Sequence, residues 1–182
     1  MKNILNYQEC LKQYKNDYQI KKALKEHQLF KINDGLYSRI ENPSDLEIFI
    51  KKHSEAIFTM ESAFYFLGIS DFVPTRYYIA TSKNSTKLFD KDITQYFMDQ
   101  KIINIGKTKM KYNQDTILVY NKERMLIEIV RYKNKMPYDY YKEIVSYYRN
   151  HIDEIDVALV LDYVKSFPKK DFILKIIETE IL

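Results

Sequence analysis

Asn16-Asp17-Tyr18-Gln19-Ile20-Lys21-Lys22-Ala23-Leu24-Lys25-Glu26-His27-Gln28-Leu29-Phe30-Lys31-Ile32-Asn33-Asp34-Gly35-Leu36-Tyr37-Ser38-Arg39-Ile40 is the stretch on which the fold turns. Ile20, Ala23, Leu24 and His27 recur at helical spacing, and Lys21, Lys22 and Lys25 occupy the other side with Tyr18 between them. The Asp17 side chain can accept from the free N–H groups of a first turn, so a helix over residues 18–27 is expected. Phe30 and Ile32 then alternate with polar residues, and Asp34-Gly35 tolerates the positive φ of a tight turn, which predicts a β-hairpin over residues 29–40. Ahead of both, Ile4, Leu5, Cys10, Leu11 and Tyr14 mark a short amphipathic helix over residues 4–14. Two helices followed by a hairpin make a minimal winged helix-turn-helix. Pro43 disfavours helix in the residue before it, and Ser44 or Asp45 can cap the next one, so a boundary is expected after residue 43. That reading gives a DNA-binding domain over 1–43 and a second domain over 44–182.

Charge points the same way. Residues 1–40 carry eight Lys/Arg against four Asp/Glu, whereas residues 41–182 carry 21 of each, so the net charge of +4 lies wholly in the first fifth of the chain. Positive charge concentrated at one end suits a polyanion. In a helix-turn-helix the second helix presents its outer face to the major groove, so Gln19, Lys21, Lys22 and Lys25 are the expected DNA-facing residues. Lys31 and Arg39 on the wing are expected at phosphates.

Other features narrow the class. Seventeen Tyr and ten Phe with no Trp supply core rings with polar tips, and three Gly with four Pro favour regular elements joined by short turns. Cys10 stands alone, which leaves no internal disulfide and no cysteine-built zinc site. Neither a signal-peptide h-region nor a run of about 20 apolar residues occurs, so a cytoplasmic protein with no membrane partner is expected. His27, His53 and His151 follow no ligand spacing, and no phosphate-binding glycine loop or nucleophile elbow is present. No catalytic residue, metal or cofactor is expected.

Beyond residue 43 the pattern is α+β. Helices are expected over 46–53 and 60–67, the latter ended by Gly68, and over 122–132, 138–151, 154–167 and from about 169 onward. Extended pieces are expected over 56–58, 76–81, 102–111 and 116–120, with a mixed stretch at 92–98 and a turn at Asn113-Gln114-Asp115. Tyr138, Tyr140, Tyr141, Tyr147 and Tyr148 crowd one segment at the spacing of a helix that packs on two sides. Glu123 suits a helix start. Arg124 is spaced to pair with Glu128 as a surface ion pair worth a few tenths of a kcal/mol, or with a carboxylate elsewhere in the fold.

Three phrases in a fixed order add a family resemblance. They are Asp34-Gly35-Leu36-Tyr37-Ser38, Met60-Glu61-Ser62-Ala63-Phe64-Tyr65-Phe66-Leu67-Gly68-Ile69-Ser70-Asp71, and Tyr120-Asn121-Lys122-Glu123-Arg124-Met125-Leu126-Ile127-Glu128-Ile129-Val130-Arg131. Together they resemble the AbiEi-type antitoxins, the repressor half of bacterial abortive-infection toxin–antitoxin pairs. The resemblance implies a winged helix joined to an antitoxin domain, in which the polar residues Ser62, Arg76, Tyr78, Glu123 and Arg124 are the candidates for function. It implies binding of operator DNA in the chain's own promoter, in a form open to homodimers. It also implies opposition to a nucleotidyltransferase-type toxin without a stable complex. Many members carry an additional helix before the recognition helix, whereas this sequence has only about 17 residues there. Two readings from other classes stand beside it. One is a PD-(D/E)-x-K-like metal-dependent nuclease using Asp99 and Lys101 with Asp90 or Asp92. The other is a protein-interaction module built on the Tyr-rich segment.

Overall fold

A computed structural model describes residues 3–33, 35–113 and 115–182. Asp34 and Gln114, expected in the two hairpin turns, lie outside the described residues. The chain divides into two compact units, Met1–Ser54 and Glu55–Leu182.

The first unit runs β1 (Ile4–Asn6), α1 (Tyr7–Tyr14), α2 (Asp17–Lys25), β2 (Phe30–Asn33), β3 (Leu36–Ser38) and α3 (Asp45–Lys52). Its three strands form an antiparallel sheet in the order β1-β3-β2. Residues 4–6, expected to open a helix, are instead a strand, because Ile4 and Leu5 pair with Ser38 and Tyr37 across the sheet. Asn6 then starts α1. Its side chain accepts from the Glu9 N–H at 2.9 Å, and the Glu9 carboxylate accepts from the Asn6 N–H at 2.7 Å, closing a capping box. The cap of α2 is Asn16, not Asp17, with its side-chain oxygen 3.0 Å from the Gln19 nitrogen. Gly35 adopts φ +82°, the left-handed conformation anticipated for the hairpin. Leu5, Cys10, Ile20, Ala23 and Leu29 make the core, with Leu11, Tyr14, Leu24 and Tyr37 packed around it. The unit ends at Ser54, beyond the boundary expected at Pro43, because α3 returns to β1. Asn3 Nδ2 donates to Glu47 Oε1 at 2.8 Å, and Lys51 pairs with Glu9 of α1.

The second unit contains β4 (Ile57–Phe58), α4 (Met60–Phe66), β5 (Tyr77–Ser82), β6 (Ile93–Met98), β7 (Lys107–Tyr112), β8 (Asp115–Tyr120), α5 (Lys122–Tyr132), α6 (Tyr138–Asn150), α7 (Val157–Val164) and α8 (Lys170–Glu180). The five strands are ordered β6-β5-β4-β8-β7, with β5/β6 and β4/β8 parallel and the other two pairs antiparallel. The central strand has two residues, Ile57 and Phe58, both buried. Gly68 takes φ +68° just past α4, as expected of a helix C-terminal cap. Helix α5 has Met125, Leu126, Ile127, Ile129 and Val130 all buried, the signature of a helix enclosed on every side, and it packs against α4, α6, α7 and α8. The mixed α+β class expected for this part is what is observed.

Two expected elements differ. The strand foreseen over 102–111 begins only at Lys107. Ile102 and Ile103 turn back on the Asp99 carbonyl, and the carbonyls of Ile102 and Ile105 are taken by Arg124 instead of a neighbouring strand. The helix foreseen over 154–167 is α7, shortened at its start to Val157 because Asp156 caps it, with Oδ1 2.9 Å from the Leu159 nitrogen. No helix of the described residues is long and apolar enough to cross a membrane.

Candidate functional site

In the first unit, α2 is amphipathic by construction. Ile20 and Ala23 are buried, while Gln19, Lys21, Lys22 and Lys25 are all exposed on the outer side. A nine-residue helix is about 13 Å long, so these side chains form one short polar face of amines and an amide. Lys22 lies 3.7 Å from Glu26, an exposed i,i+4 pair that restrains the lysine only weakly. Lys31 on β2 is exposed as well. Arg39 is less available than expected: it is half-buried, its guanidinium donates to Gln13 of α1, and its backbone N–H donates to the Asn3 carbonyl at 3.0 Å. Arg39 thus ties the end of the hairpin to the helix pair.

In the second unit Ser62 is wholly buried, and its Oγ accepts from the Tyr78 N–H at 2.9 Å, fastening α4 to β5. Tyr78 is half-buried, and burial is the main reason its hydroxyl is harder to ionise than usual. Arg76, just before β5, is exposed, and its charge acts on Tyr78 in the opposite sense. Ser62, Arg76 and Tyr78 therefore share one neighbourhood.

Glu123 and Arg124 open α5, where Asn121 caps by accepting from the Arg124 N–H at 3.0 Å. Glu123 Oε1 accepts from the Asp156 N–H at 3.4 Å, joining the starts of α5 and α7. Arg124 is not on the surface. It has no solvent exposure, and its guanidinium lies between the rings of Tyr120 (4.3 Å to the centroid) and Phe167 (4.5 Å). It donates to Glu128 Oε1 at 2.7 Å and to the carbonyls of Ile102 and Ile105 at 2.6 and 2.9 Å. Glu128, also unexposed, accepts from Arg131 through both oxygens at 2.7 Å. This arrangement orders the 102–106 loop on α5 and leaves Arg124 no reach to a partner.

The Tyr-rich segment is chiefly a fastening too. The Tyr141 hydroxyl donates to Glu180 at 2.6 Å, Tyr148 donates to the Lys122 carbonyl at 2.8 Å, and Tyr147 stacks on His151 at 4.2 Å. Tyr138 is exposed. Around Asp99 the carboxylate accepts from Lys83 at 3.2 Å and from the Lys101 N–H at 3.1 Å, which lowers its pKa. Asp90 accepts from the Asp92 N–H at 2.9 Å. Among the described residues, no three metal-ligating side chains gather there or elsewhere.

Sequence reasoning passed over Glu61. Its carboxylate sits at the start of α4, half-buried, with one oxygen enclosed and without a hydrogen-bond partner among the described residues, and desolvation raises its pKa. The available signal was an acid between Met60 and the apolar Ala63-Phe64 pair. No protein-family model and no curated protein matches the chain.

Proposed function

We propose that the first unit is a winged helix-turn-helix that lays α2 against DNA, and that the chain is a repressor-type antitoxin of the AbiEi-like kind. The observation that carries this reading is the division of α2 into a buried face of Ile20 and Ala23 and an exposed face of Gln19, Lys21, Lys22 and Lys25. Support also comes from the element order β1-α1-α2-β2-β3 and from the strand order β1-β3-β2, which sets a hairpin after the basic helix. The lysines supply phosphate contacts that orient the module, and Gln19, near the N-terminal end of α2, has the amide able to read a base edge. Arg39, tied to Gln13, braces the wing rather than reaching phosphate. The operator lies in the chain's own promoter, a homodimer is compatible with repeated sites, and a nucleotidyltransferase-type toxin is opposed without a stable complex. These last points rest on the resemblance alone.

The test is a retardation or anisotropy titration with a duplex from the native upstream region. Lys21→Ala, Lys22→Ala and Lys25→Ala combined should weaken binding at least tenfold while leaving circular dichroism unchanged, because all three side chains are exposed. Equal affinity of the triple variant and the parent protein would remove α2 from the interface.

A further inference from the structure

Glu61 is set by an unusual backbone. Met60, the first residue of α4, adopts φ +46°, in the left-handed region that residues with a side chain rarely take, and this elbow delivers Glu61 to the first turn of the helix. Register places two tyrosines on one face of the sheet. Tyr96 is the partner of Ala80, and Tyr78 lies two residues before Ala80 on the same strand, so their side chains leave the same side. Tyr132, near the end of α5, meets Tyr96 edge-on at 4.9 Å. From α6, Tyr140 lies edge-on to Phe64 at 6.3 Å and to Phe72 at 5.9 Å. Glu61, Tyr78, Tyr96, Tyr132 and Tyr140 are each half-buried, so each keeps some access to solvent.

One enclosed polar atom in this group, Glu61 Oε2, finds no hydrogen-bond partner among the described residues, while the Tyr140 hydroxyl lies beside the Ser70 side chain. Most buried polar atoms in folded proteins are satisfied, so the Glu61 oxygen marks a place made for something that donates. The negative charge of Glu61 acts on the hydroxyls of Tyr78, Tyr96 and Tyr140, beside the larger effect of their own burial. Glu143, held by Ser70 at 2.7 Å, adds a second negative charge near Tyr140. Arg76, which acts on Tyr78, is exposed, and the Tyr132 ring already carries Lys135 at 5.2 Å and Arg131 at 5.5 Å from its centroid. A partly desolvated carboxylate among electron-rich ring faces favours a compact organic cation over an anion or a neutral group.

We propose that Glu61, with Tyr78, Tyr96 and Tyr140, forms a binding site for one alkylammonium or guanidinium group. The carboxylate forms the charge-assisted hydrogen bond, and the rings supply cation–π contact. The same headgroup comes from a free small amine or from a lysine or arginine side chain on a partner protein. Phe72, exposed and edge-on to Tyr140, with its exposed chain neighbour Val73, offers apolar contact to the latter.

The experiment uses the full chain, with n-butylammonium and n-butylguanidinium as probes and butyrate and n-butanol as controls, followed by NMR of labelled Glu and Tyr side chains. Both cations should shift Glu61, Tyr96 and Tyr140 in a saturable way, and neither control should. Glu61→Gln, nearly isosteric, should weaken the cations at least tenfold with the fold intact by circular dichroism. Tyr140→Phe, which keeps the ring, should weaken them less. A short peptide carrying Arg between apolar residues separates the sources. Tenfold tighter binding that is lost in Phe72→Ser assigns a partner side chain, and affinity equal to butylammonium assigns a free amine. The proposal is overturned if the cations move Glu61 no more than exposed carboxylates, or if Glu61→Gln binds them as the parent protein does.

Discussion

Replacing Glu128 by Gln removes the carboxylate on which two arginines converge while keeping the shape of the side chain. Arg124 would keep its carbonyl partners Ile102 and Ile105 and its two flanking rings, but it would be a guanidinium with no solvent exposure and no counter-charge. Breaking a buried pair from one side costs about 3–5 kcal/mol, because the desolvation already suffered by the remaining ion is no longer compensated. Domains of ordinary stability have roughly 5–15 kcal/mol in all, so the variant would be marginal. The melting temperature should fall by roughly 10–20 °C for a unit of this size. Urea unfolding followed by circular dichroism gives the free energy, and calorimetry gives the midpoint. Arg131 has partial access to water, with its side chain 19 % exposed, so Arg131→Met should lose less than Glu128→Gln. The double change Arg124→Met with Glu128→Leu should lose less than the sum of its single changes, because it removes both buried charges together. A loss below about 1 kcal/mol for Glu128→Gln, the size of an exposed ion pair, would refute the reasoning.

Three further outcomes follow from local geometry. Glu61 has a folded pKa raised by desolvation, so its contribution to stability is fully present below the unfolded value near 4.3 and is lost as pH rises through the folded value. Glu61→Gln should therefore unfold at higher urea than the parent protein at neutral pH, with the gap closing toward pH 4; a gap independent of pH would contradict the buried carboxylate. Gly106 adopts φ +71°, and a Cβ there would run into the side chains of Arg124 and Asn121, so Gly106→Ala should cost about 2 kcal/mol or more by urea unfolding. Asn16→Ala removes the cap of α2 and should cost about 1 kcal/mol, read as faster amide exchange at the start of that helix.

The residues differ in how openly they announce their places. Ile20 and Ala23 against Lys21, Lys22 and Lys25 fix the orientation of α2 from spacing alone, because a helical period is a local property. The cap of α3 is similarly local: Ser44 Oγ accepts from the Glu47 N–H at 3.1 Å, as the Ser44-Asp45 pair suggests. Ile4–Asn6 is opaque for the opposite reason. Two apolar residues beside a helix carry no period of their own, and only pairing with the distant β3 makes them a strand. Arg124 misleads because an i,i+4 spacing to Glu128 is equally that of a surface pair. Its burial comes from Tyr120, Phe167 and the carbonyls of the 102–106 loop, three separate parts of the chain. Glu61 is hidden in the same way, since Tyr78, Tyr96 and Tyr140, on whose hydroxyls its charge acts, come from β5, β6 and α6.

The proposal that α2 lies against DNA is tested most directly by the salt dependence of binding to the native upstream duplex. Lys21, Lys22, Lys25 and Lys31 are the exposed cations that the interface would use. Neutralising about four phosphates per protomer should give a slope of log affinity against log salt of roughly −3.6, shallower by about one for each lysine replaced by alanine. Binding that ignores salt, or a slope that Lys21→Ala and Lys25→Ala leave unchanged, would contradict the winged-helix reading.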